Sequence, residues 1–173
     1  MIRILTDSAA DLTAAELNAS GVTVVPMTVT FMDGSSQEDD GTMTKDDFFA
    51  RLASDSKLPR TSQPSPSAYI QAYEDAAAAG DEVIVITIAQ KLSGTFQSAR
   101  LAAADTDFAP YIVDSESATQ GEALIVREAL RLRDEEHLSA EEIFNALEQF
   151  KKRVRIVAIV DSLKHLQKGG RLP

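Results

Sequence analysis

Between two segments of helical patterning the chain runs Glu82-Val83-Ile84-Val85-Ile86-Thr87-Ile88, almost without a polar side chain. A strand with one face in water alternates polar and apolar residues, so a strand this uniformly apolar needs cover on both faces. Helices supply that cover when strands and helices alternate along a chain, which makes the sheet parallel and the architecture three-layered. The alternation recurs on both sides of the segment. Ile2-Arg3-Ile4-Leu5 is a short apolar strand, followed by a helix from about Thr13, where Thr13-Ala14-Ala15-Glu16 reads as a capping box. Val22 to Phe31 is rich in β-branched residues and reads as strand, with Pro26 marking an edge or a bend. Asp33-Gly34 signals a hairpin. A short helix spans Thr44 to about Ser54, with Phe48, Phe49 and Leu52 on its apolar side.

Leu58 to Ser67 reads as a loop braced by Pro59, Pro64 and Pro66, and Ser65-Pro66 opens the next helix as N-cap and first residue. After the central strand, Ser93 opens another helix, Tyr111 to Asp114 is a strand, and a long helix covers about Ser117 to Glu135. Ser139-Ala140-Glu141-Glu142 is a second capping box, and its helix carries Ile143, Leu147 and Phe150 at core spacing. Arg155 to Val160 reads as strand and Ser162 to Lys168 as a short helix.

Length and charge narrow the function classes. The chain has 173 residues, enough for one α/β domain with a sizeable core and the start of another. A formal net charge of -10 argues against general nucleic-acid binding, which needs Lys and Arg opposite phosphates. No apolar run reaches the length of a membrane span, so no stable membrane insertion is expected. The run Met1 to Leu5 is too short for a signal peptide. With no cysteine, disulfides, thiolate catalysis and Cys-ligated zinc are excluded, and a reducing cytoplasm is the simplest location.

Three places carry candidate chemistry. Ser93-Gly94-Thr95 stands at a helix N-terminus, where unpaired amides and the helix dipole favour an anion and a glycine lets a ligand approach the backbone. The plainer reading is that Ser93 only caps the helix. Thr61 and Ser62 add hydroxyl donors in the proline-braced segment, which is otherwise an ordinary polar loop. Asp7 and Ser8 follow the first strand and most simply order its turn, at the carboxyl edge where open α/β sheets bind ligands. Asp33, Glu38, Asp39 and Asp40 resemble a calcium loop superficially, but Glu38 occupies the required glycine position, leaving a solvated hairpin and no expected metal. Lys151, Lys152, Arg153 and Arg155 form a basic run that suits a solvated helix end. His137 and His165 read as surface residues. A small phosphoryl-transfer or hydrolytic enzyme using Ser93 is the catalytic alternative. It lacks a G-x-S-x-G elbow, a Walker loop and a histidine with an acidic partner by spacing.

Five segments, in order, carry a resemblance. They are Thr6 to Leu12, Arg60 to Ser65, Ser93 to Ala99, Val113-Asp114-Ser115 with Gly121, and Asp161-Ser162-Leu163 with Leu166 and Lys168-Gly169-Gly170-Arg171. Together they resemble the DegV family of bacterial fatty-acid-binding proteins. The resemblance implies a DegV-like α/β three-layer sandwich with a mainly parallel sheet over residues 1–152, with a hairpin excursion at about 27–41. Residues 153–173 would then begin an α+β second domain that is truncated. It further implies a lipid carrier that is not itself an enzyme, with a bound long-chain fatty acid and no cofactor. The carboxylate would be held by Thr61 and Ser93, with Ser62, Gly94 and Thr95 beside them. Arg171 and Lys168 would lie near the mouth and face a separate fatty acid kinase subunit, which makes an acyl phosphate for phospholipid synthesis. The family's site histidine falls beyond Pro173. A truncated, non-binding fragment is the remaining alternative.

Overall fold

The structure, a computed structural model, describes residues 1–55, 57–157, 159, 163–168 and 170. Strand β1 (Ile2–Asp7) leads through a 3₁₀ turn, Ser8–Ala10, to helix α1 (Ala14–Ser20). Strands β2 (Thr23–Val25), β3 (Thr28–Thr30) and β4 (Ser36–Glu38) follow, then α2 (Lys45–Ser54), β5 (Arg60–Ser62) and α3 (Pro66–Ala79). Next come β6 (Glu82–Thr87), α4 (Thr95–Ala104), β7 (Tyr111–Asp114), α5 (Gln120–Asp134) and α6 (Ala140–Phe150). A 3₁₀ turn, Lys151–Arg153, and a short α7 (Lys164–Lys168) end the order. Both capping boxes form: Thr13 and Ser139 accept from the third amide of their helices, and Glu16 and Glu142 return the bond. Ser65 caps α3, with Pro66 as its first residue.

The main sheet is parallel, in the order β2-β1-β6-β7. Ile2 to Thr6 pair in register with Glu82 to Ile86, and Ile84 to Thr87 with Tyr111 to Asp114. Side chains of a strand alternate between faces, so each face has its own core. Ile4, Ile84, Ile86 and Val113 pack against Ile125, Val126 and Ala129 of α5 and Ile143 and Leu147 of α6. Leu5, Val83 and Val85 pack on the other face against Tyr69, Tyr73 and Ala76 of α3 and Ala99 and Ala102 of α4. Each fully buried aliphatic side chain contributes roughly 1.5–3 kcal/mol. The α/β sandwich with a parallel sheet is therefore as the sequence predicts, and β6 is its centre, buried from Val83 onwards.

Three local expectations need correcting. Val22 to Phe31 is not one strand: Pro26 has no amide for a ladder, so β2 ends at Val25 and β3 starts a separate antiparallel sheet, ordered β4-β3-β5. The proline-braced segment is not all loop, because Arg60–Ser62 pairs with β3 as its third strand. Arg155 to Val157 and Ile159 form no strand among the described residues; Ala158 and Val160 lie outside them. The hairpin forms at Gly34, whose φ of 84° suits a residue without Cβ. The long helix begins at Gln120, later than the composition suggested. No helix among the described residues is long and apolar enough to cross a membrane.

Candidate functional site

Parallel strands deliver their loops to one edge, and here the carboxyl ends of β1, β6 and β7 lie side by side. β6 is the middle strand of the three, and the loop after it leads directly to Ser93. That loop is tied on both sides. The buried Asp7, at the end of β1, accepts from the Ile88 amide at 2.8 Å with Oδ2 and from the Ala9 amide at 3.0 Å with Oδ1. Asp114, at the end of β7, accepts from the Gln90 amide at 3.2 Å and the Glu116 amide at 3.0 Å, both with Oδ1. The Ala89 amide donates to the Ser117 carbonyl at 2.8 Å. The Ser93 amide closes the loop on the Ala89 carbonyl at 3.2 Å.

Ser93 does not cap α4. Gly94 occupies the cap position, no side chain among the described residues caps the helix start, and the Ser93 hydroxyl instead meets the Thr95 hydroxyl at 2.9 Å. The first-turn amides that a capping serine would have engaged are thus left without a side-chain partner, as an anion site requires. No histidine or carboxylate hydrogen-bonds to Ser93 among the described residues, so the arrangement of an activated nucleophile is not formed there.

The second group of predicted residues comes from the small sheet. Thr61 pairs with Val29 in the ladder, and Thr61 and Ser62 are both exposed. Gln63, which sequence reasoning missed, joins this strand to the main body. Its Nε2 donates to the Ser98 hydroxyl of α4 at 2.9 Å. Its Oε1 lies so close over Gly94 that a Cβ there would overlap it. The Thr61-Ser62-Gln63 segment therefore reaches the Ser93-Gly94-Thr95 turn through one amide side chain and a glycine. The only signal for this in the sequence is Gln63 itself, two residues past Thr61. The remaining candidates divide. Ser8 accepts from the Met27 amide at 3.2 Å and, with Asp7, does order the turn after β1. Lys168 is exposed on α7, and Arg171 lies outside the described residues.

The electrostatics of this edge are unusual. Burial pushes the Asp7 carboxyl up to about 6, against the opposing effect of the Ile88 and Ala9 amides. Glu122, fully buried in the first turn of α5, is pushed up to about 10 by burial and then by the charge of Asp7. Its Oε1 accepts from the Thr6 hydroxyl at 3.1 Å, and its Oε2 has no partner among the described residues. With its pKa raised this far, Glu122 is held as a neutral acid at neutral pH, which limits the negative charge gathered at this edge. Backbone strain gathers along the same edge: Asp11, Glu116 and the β-branched Thr119 all have φ near 50°. No group of His, Cys, Asp or Glu among the described residues is arranged to hold a metal ion.

Two grooves flank the edge. One, about 300 Å³, is lined by residues that include Asp7, Leu12, Val24, Asp39 and Met43. The other, about 680 Å³, is lined by Leu92, Glu116, Lys151, Arg155 and Ile156 among others. Neither includes Thr61 or Ser93.

Comparison with known proteins places this geometry in context. Residues 1–173 match the family described as "Uncharacterised protein, DegV family". A DegV domain-containing protein of Caldanaerobacter subterraneus subsp. tengcongensis is 36% identical over 172 residues, covering 99% of this chain and 60% of the relative. A structure from Thermus thermophilus, described as fatty acid binding of a DegV family protein, is similar with a TM-score of 0.86 and 33% identity, over 99% of this chain and 60% of that one. DegV from Bacillus subtilis, described as a fatty acid binding protein, is similar with a TM-score of 0.91 and 31% identity, over 99% and 61%. The chain thus spans about 60% of the length of the relatives it matches.

Proposed function

The chain belongs to the DegV family, and from that premise we propose that it is the carboxylate-holding part of a fatty-acid carrier. In this reading Thr61 and Ser93 donate hydroxyl hydrogen bonds to the fatty-acid carboxylate. Ser62, the Gly94 backbone and Thr95 complete the cradle at the start of α4. Such contacts contribute about 0.5–1.5 kcal/mol each, whereas each buried methylene of the tail contributes roughly 0.8 kcal/mol. The tail therefore supplies most of the affinity and the cradle sets which end of the lipid faces outward. Hydroxyls and amides hold the carboxylate without neutralising it fully, so an oxygen stays able to attack a phosphoryl group offered by a separate kinase subunit. Lys168 and Arg171 would face that subunit.

The observation that carries the reading is the Gln63 bridge, which connects the Thr61 strand to the Ser93 turn across Gly94. The Thermus thermophilus and Bacillus subtilis structures, both described as fatty acid binding, support it independently. Residues 1–152 form the α/β layer in this proposal. Residues from 153 onwards would begin a second region in this proposal. The exposed Ile156, Val157 and Ile159 suit a segment that another layer covers.

Native mass spectrometry of the purified chain, followed by calorimetric titration with oleate and palmitate, tests the proposal. A bound lipid is expected, with Thr61→Val and Ser93→Ala each weakening oleate binding by roughly two- to tenfold. No co-purified lipid, no heat of binding and no thermal shift with either acid would sink it.

A further inference from the structure

The loop that carries Ser93 follows β6, yet the side chains that hold it come from the strands on either side. Asp7 closes β1 and Asp114 closes β7, and the register places both at the level where β6 ends. Their acceptors take the amides of Ile88 and Gln90, the first and third residues beyond Thr87. Asp114 is itself backed by Lys151, whose Nζ donates to the Asp114 carbonyl at 3.0 Å and to Glu148 at 2.9 Å. A loop of this kind on an open edge would otherwise turn its amides to water, and its course would vary.

We infer that Asp7 and Asp114 are positioning residues for the fatty-acid carboxylate, gripping the Ile88 and Gln90 amides from the two neighbouring strands and so fixing where the Ser93 hydroxyl and the start of α4 point. The inference rests on the carrier reading above. It goes beyond that reading by assigning the head-group geometry to two buried acids that do not touch the ligand.

The two acids differ in a way that makes the inference testable. Asp7 uses both oxygens, one for Ile88 and one for Ala9. An asparagine there would turn its NH₂ towards one of those amides, donor against donor, and lose that bond. Asp114 uses a single oxygen for both of its amides. An asparagine there keeps both bonds, whereas an alanine keeps neither.

Affinities for oleic acid and for methyl oleate, measured on the 173-residue chain at a temperature where circular dichroism shows every variant folded, separate head-group placement from tail burial. The wild-type chain is expected to prefer the acid. Asp7→Asn and Asp114→Ala are expected to weaken acid binding about tenfold while leaving the ester within about twofold, and Asp114→Asn is expected to restore what Asp114→Ala loses. A general loss of structure would lower acid and ester together, and that result overturns the inference. So does wild-type preference for the acid in both Asp7→Asn and Asp114→Ala, which leaves the carrier reading standing. A wild-type chain that binds neither lipid removes the carrier reading and the inference with it.

Discussion

The two central strands of the parallel sheet, β1 and β6, are buried along most of their length, with Ile4, Leu5 and Val83 to Ile86 almost wholly out of water. Those of the antiparallel sheet are three residues each, and every residue of β5 is exposed. In β3 only Val29 is buried, and just beyond it Phe31 lies under the Arg51 guanidinium at 3.6 Å. The proposed cradle takes Ser93 from the first sheet and Thr61 from the second. One wall therefore rests on a double-sided core with its loop clamped by Asp7 and Asp114. The other rests on a short ladder joined to the body through Gln63. In the proposed carrier, the fixed wall would set the position of the carboxylate and the lightly held wall would let the lipid in. Binding segments are generally drawn from the less stable parts of a fold.

The comparison breaks first in the core. Ile84→Ala is expected to cost about 2–5 kcal/mol in urea denaturation, and Val29→Ala distinctly less because its sheet has little else to lose. Equal losses would mean that the two sheets share one cooperative core. Next is Glu122→Gln, which is expected to stabilise the protein. The folded-state pKa of Glu122 is raised, so the folded protein holds a proton that the unfolded chain releases. Stability then falls as pH rises from about 4.5 towards about 10. Asp7 adds a fall of the same sign between about 4 and about 6. The Glu122→Gln variant removes the larger slope and is expected to gain up to about 3 kcal/mol of stability at pH 7, with less gain near pH 5. A destabilised variant with the wild-type pH slope would show that Glu122 is ionised in the fold.

A smaller effect separates the walls directly. Gly94→Ala pushes the Gln63 amide aside and breaks its bond to Ser98, at a cost of about 1 kcal/mol. Amide exchange at Arg60 to Ser62 should quicken while β6 stays protected. Unchanged exchange in β5 would show that Gln63 does not join the walls. Smallest is Thr30→Ala, which removes the exposed hydroxyl pair between Thr30 and Ser36 at 2.8 Å. It should cost only a few tenths of a kcal/mol, as read from the denaturation midpoint. A loss above about 1 kcal/mol would mean that the hairpin is more tightly coupled than its burial suggests.

Much of the fold was legible because its signals are local. The apolar run of β6, the capping boxes at Thr13 and Ser139, and the Ser65-Pro66 start of α3 each depend on residues within a turn or a strand of one another. The small sheet was harder to read. Arg60–Ser62 has no hydrophobic alternation and becomes a strand only because β3 offers it a free edge. The residues of the proposed cradle, Ser93-Gly94-Thr95 and Thr61, stand out in the sequence, but the reading of Ser93 as a helix cap does not hold, because Gly94 takes the cap position and the Ser93 hydroxyl meets Thr95. Glu122 gave no warning. An acid in the first turn of a helix is ordinarily a solvated partner of the dipole, and only the packing of α5 over β1 buries it.

Sequence alone determined the alternation of strands and helices, the parallel order that follows from it, and the hydroxyl and glycine chemistry available at the sheet's edge. Tertiary structure decided which distant groups meet there: Asp7 with Ile88, Asp114 with Gln90, Gln63 with Gly94. The physical reason is range. Periodicity and capping act over a few residues, whereas burial, the raised pKa values of the buried acids and the clamps on the loop arise from contacts between segments tens of residues apart, which exist only once the sheet has assembled.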